Sequence, residues 1–66
     1  MSRKLLREGI EVLLEAKFGE AGVALIPKMR VLKTMYELRG FMHCLVNAET
    51  LSPVAVHLAL KALLSR

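Results

Sequence analysis

The width of its apolar helix faces is what most constrains this chain. A surface helix of a small monomer needs an apolar stripe of roughly 100° toward its core and polar residues elsewhere. Between Arg3 and Phe18, the residues Leu5, Leu6, Ile10, Val12, Leu13, Leu14, Ala16 and Phe18 leave one polar strip, made of Lys4, Glu8, Glu11 and Glu15. Near the other end, Val54, Ala55, Val56, Leu58, Ala59, Leu60, Ala62, Leu63 and Leu64 surround only His57 and Lys61. A chain of this size buries only about 60% of its unfolded surface. With 66 residues there is too little interior for all of these side chains, so part of the apolar surface is expected to pack on a second chain.

The punctuation of the sequence predicts a single all-α module over residues 1–66, a small bundle of three to four short helices completed by oligomerisation. The first helix spans about 2–18, with Ser2 as N-cap and Gly19 as a left-handed stop. A second spans about 20–32 and is kinked at Pro27, which lacks a backbone donor and clashes with the carbonyl four residues earlier. Thr34-Met35-Tyr36-Glu37 has the form of a capping box and opens a third helix over about 35–48. Gly40 inside it either admits a close helix contact or is a local weak point. Ser52-Pro53 reads as a cap followed by a first-turn proline, opening a last helix over about 53–64.

Charge and cysteine content narrow the function classes. The net charge of +4 is diluted by interleaved acidic residues, the pattern of a solvated surface. The lone Cys44 cannot form an intramolecular disulfide and suits a reducing cytoplasm. No run approaches the ~18 apolar residues of a membrane span, and Met1-Ser2-Arg3-Lys4 leads into an amphipathic helix rather than a signal peptide. The expected location is cytoplasmic.

Leu6-Arg7-Glu8-Gly9-Ile10, Lys17-Phe18-Gly19-Glu20-Ala21-Gly22, Leu25-Ile26-Pro27-Lys28-Met29-Arg30 and Asn47-Ala48-Glu49-Thr50-Leu51 form an ordered set covering about residues 6–54. As a set it resembles the C-terminal helical region of the recombination-promoting nuclease (Rpn) family, a group of PD-(D/E)XK nuclease, transposase-like proteins. The chain departs from that pattern in its single REG element, in Lys33-Thr34 before the third helix, and in the apolar Leu58 to Leu64 extension. The resemblance implies a non-enzymatic association segment that assembles or restrains a nuclease, since the family's catalytic carboxylates and lysine lie in an N-terminal domain that nothing here matches.

Individual residues add little chemistry. His43 and Cys44 are adjacent and so point about 100° apart on a helix. With His57 they fall short of the four ligands of a structural zinc site, and no metal or cofactor is expected. Cys44 sits late in a helix, where the dipole disfavours a thiolate. Glu8, Glu11 and Glu15 lie on a solvated strip rather than in a desolvated cleft suited to acid/base catalysis. Arg39 falls on the apolar side of its helix, and if buried it needs a partner such as Glu8 or Glu11. Met29, Met35 and Met42 read as adaptable core filler.

Two function classes follow. In the first, the chain is a protein-interaction module that homodimerises through Leu6, Ile10, Leu13 and Leu14 of the first helix and Leu60, Leu63 and Leu64 of the last. A full-length Rpn-like nuclease is then a further partner. In the second, it is a small DNA-binding or transcriptional regulator using Lys28, Arg30 and Lys33, although the last helix offers Val, Ala and Leu where a recognition helix presents polar side chains.

Overall fold

The computed structural model describes residues 2–65. Among the described residues four α-helices and one 3-10 segment follow one another: α1 (Arg3–Phe18), α2 (Glu20–Val23), the 3-10 segment Ile26–Val31, α3 (Met35–Asn47) and α4 (Leu51–Leu64). α1 packs on α2 and α3, and α4 packs on α3 and on the 3-10 segment.

The helix ends are set by local chemistry. Ser2 Oγ accepts the Leu5 N–H at 3.1 Å and opens α1. Gly19 closes it with φ +61° and ψ −139°, while its N–H donates to the Glu15 carbonyl at 2.8 Å. The expected left-handed stop is therefore a positive-φ residue, but in the extended mirror region that only glycine occupies without strain. At the start of α3 the capping box is complete. Thr34 Oγ1 accepts the Glu37 N–H at 3.1 Å, and the Glu37 carboxylate accepts the backbone N–H groups of Lys33 and Thr34. Those donors, the Lys33 N–H first, hold the Glu37 carboxyl below its ordinary pKa.

Two boundaries differ from the sequence reading. The kinked second helix is instead a single α-turn and a separate 3-10 segment, with Leu25, Lys28 and Leu32 each donating three residues back. A continuous helix would set the Pro27 ring against the Val23 carbonyl, and α2 stops at Val23. The last helix starts at Leu51 with Thr50 as N-cap, so Ser52 and Pro53 lie within its first turn. Proline is accommodated there because the N–H groups of that turn have no intrahelical acceptor.

One core runs through the chain. Leu6, Ile10 and Leu14 from α1 meet Leu38, Phe41 and Leu45 from α3, Val54 and Leu58 from α4, and Leu25, Met29, Leu32 and Ala48 between helices. Met35 and Met42 pack against it half-buried. The Cα radius of gyration is 10.7 Å, close to the ~11 Å of a compact chain this long. A full core thus closes within one chain, and only part of the apolar excess is left over.

Close approach occurs at Gly22, not Gly40. A Cβ added to Gly22 would fall on the Leu14 carbonyl of α1, 2.8 Å from its carbon, whereas one added to Gly40 would meet nothing within 4 Å. Gly40 is exposed and costs helix stability without a packing return.

Candidate functional site

α4 keeps its apolar surplus in solvent. Val54 and Leu58 point into the core, but Val56, Leu60, Leu63 and Leu64 are 52 to 81% exposed. Their spacing of four, three and one residues gathers them on one side of the helix. Between that side and the core lie Ala55, Ala59 and Ala62, which with Leu58 form the α4 wall of a groove of about 310 Å³. Its opposite wall is the 3-10 segment, which contributes Lys28, Arg30 and Val31. The Pro27 break is what brings these two walls together, because it lays a short 3-10 turn rather than a long helix along α4.

The far edge of α4 carries His57 and Lys61, both half-buried. The His57 ring tilts on Phe41, 5.5 Å between centroids at 59°, and its Nε2 is buried without a hydrogen-bond partner among the described residues. Desolvation lowers its pKa, and the neighbouring Lys61 charge adds to the effect.

The seven residues assigned to an interface from sequence divide into two groups. Leu6, Ile10 and Leu14 are buried in the chain's own core, which leaves them little surface to offer a partner, and Leu13 packs against that core half-buried. The amphipathic pattern of α1 was correct, but its inward stripe faces α3 and α2 rather than a second chain. Leu60, Leu63 and Leu64 are exposed. Val56 and the alanines beside it were counted in the apolar surplus of the last helix but left out of the interface set, although their spacing from Leu60 and Leu63 was a sufficient signal.

Of the three basic residues assigned to nucleic acid, Lys28 and Arg30 flank the groove, and Lys33 is exposed in the connection before α3. Arg39 is exposed, contrary to the apolar-side placement, and needs no buried partner. Other basic residues have structural roles that the sequence did not reveal. Arg3 donates to the Lys33 carbonyl at 2.6 Å, Arg7 to the Leu32 carbonyl at 3.0 Å, and Lys17 to the Leu45 and Ala48 carbonyls at 2.7 and 2.8 Å. Their acceptors are main-chain oxygens, which carry no residue identity to read.

His43 is exposed and Cys44 half-buried on α3, with Cys44 Sγ 3.8 Å from the Pro53 carbonyl. Among the described residues no group of three His, Cys, Asp or Glu is arranged to hold a metal ion, and no helix is long and apolar enough to cross a membrane. No family model, curated protein or solved structure matches the chain.

Proposed function

We propose that this chain is a non-enzymatic helical association module that self-associates through the outer face of α4. The observation that carries the reading is the exposed face of Val56, Leu60, Leu63 and Leu64 beside the alanine-lined groove. A standard interface takes about 800 Å² from each partner, nearly a fifth of the 4563 Å² surface of this chain. Contiguous apolar surface of that kind, rimmed by polar groups, marks interaction sites on soluble proteins. In the setting that the Rpn resemblance implies, the module holds nuclease subunits together or restrains a nuclease in trans, which makes such a nuclease the first partner to try in a pull-down.

Light scattering on a size-exclusion column, over a concentration series, tests the reading. The wild type is expected to elute above monomer mass, and Leu60→Glu with Leu63→Glu to elute as a helical monomer. A wild type that remains monomeric at every concentration refutes it.

The regulator reading is supported by the exposure of Lys28 and Arg30 alone. It predicts duplex binding that falls steeply with salt and is lost in Lys28→Glu/Arg30→Glu; no binding at low salt removes it.

A further inference from the structure

α1 carries a second apolar stripe on the side turned away from the core. Leu5, Gly9, Val12 and Ala16 recur at helical spacing and all four are exposed. Glu8 and Glu15, also exposed, run along one edge of this stripe. A Cβ added to Gly9 meets nothing within 4 Å, so the middle of the stripe is open to close approach. The groove beside α4 has the opposite character, with Ala55, Ala59 and Ala62 along its wall and Lys28 and Arg30 at its rim.

Building on the self-association proposed above, we infer that the groove receives α1 of a second copy. Leu5 and Val12 of that copy enter along the alanines, and its Glu8 and Glu15 face Lys28 and Arg30. Three properties of the two surfaces agree. Two exposed cations meet two exposed carboxylates. Large side chains on α1 meet small ones on α4, while Leu60 and Leu63 meet the small Gly9 and Ala16. At about 1.5 Å per residue, the 16 residues of α1 and the 14 of α4 give rods of similar length, about 24 and 21 Å. A polyanion would satisfy Lys28 and Arg30 but leave the leucines in water, so a second copy is the better occupant. Because the two surfaces differ, the contact closes a dimer where a two-fold axis repeats it in both directions, and is otherwise heterologous and propagates to a ring or a filament. Charge pairs of this kind fix register and partner choice more than affinity.

Two charge-reversed variants test the contact: Lys28→Glu/Arg30→Glu and Glu8→Lys/Glu15→Lys. All four side chains are exposed, so circular dichroism should show both variants as helical as the wild type. Each alone places like charges across the contact and is expected to associate at least about tenfold more weakly than the wild type. An equimolar mixture restores opposite signs and should recover association, with masses read by light scattering. Val12→Asp, which leaves the four charged residues untouched, should also weaken association. If both charge variants associate as tightly as the wild type, or their mixture fails to recover, this contact is wrong and self-association uses another surface. If the wild type is monomeric throughout, the contact and the self-association reading fall together.

Discussion

The Lys17 ammonium, carried on the last turn of α1, donates to the carbonyl of Ala48 at 2.8 Å, just beyond the end of α3. It also reaches the Leu45 and Val46 carbonyls at 2.7 and 3.2 Å. A cation at this position satisfies terminal carbonyls and complements the negative end of the helix dipole.

Lys17→Met keeps the aliphatic stem but removes the donors. With the side chain exposed, the loss is expected at about 1 to 2 kcal/mol, read as a lower urea midpoint with an unchanged slope. An unchanged midpoint would mean that water replaces the ammonium at no cost.

Alanine should have opposite effects at two glycines. Gly22→Ala drives a methyl group into the α1 backbone at Leu14 and is expected to cost at least about 1 to 3 kcal/mol, as overpacking does. Gly40→Ala enters open space within α3 and is expected to stabilise by up to about 1 kcal/mol. Thermal melts of the two variants decide the matter by the sign of the shift.

Leu14→Ala and Leu60→Ala separate the core from the outer face. Leu14 is fully buried, and its truncation should cost about 2 to 5 kcal/mol. Leu60 is 55% exposed, and the same change should alter monomer stability by no more than about 0.5 kcal/mol. Urea denaturation at a concentration low enough to favour monomer measures both.

The His57 imidazole is held below its ordinary value of 6.5, so the native chain takes up its proton less readily than the unfolded chain. The stability associated with neutral His57 is present above 6.5, begins to fall as pH drops through that value, and is fully lost below the folded-state pKa. His57→Leu removes both the proton site and the unpartnered Nε2, and should flatten this part of the profile. A second decline, below the ordinary 4.5 of Glu37, has the same sign and should persist in His57→Leu but be removed by Glu37→Gln. Chemical denaturation midpoints across this pH range test both limbs.

Much of the fold was legible because its signals are local. Ser2, Thr34 with Glu37, and Gly19 act on atoms within four residues, and apolar spacing grouped Leu6, Ile10 and Leu14 on one stripe of α1, although it assigned that stripe to a second chain and not to the core. Pro27 was legible as an interruption, but its outcome as a 3-10 segment was not, since that depends on how Met29 and Leu32 fit the core. Gly22 and Gly40 look alike in sequence, and only the approach of α1 to α2 separates them. The surplus on α4 was visible in its composition. Which leucines carry it was half visible, because periodicity reveals that a stripe exists without revealing which of two stripes on α1 turns inward.

The reach of Lys17 has a consequence for local opening. Residues 28 to 31 positions apart in the chain hold one helix end, so the amides of the final turn of α3 cannot gain full protection from hydrogen exchange until α1 has docked. The two helices should therefore open as one cooperative unit, while the last turn of α4, with its leucines in solvent, exchanges by fraying on its own.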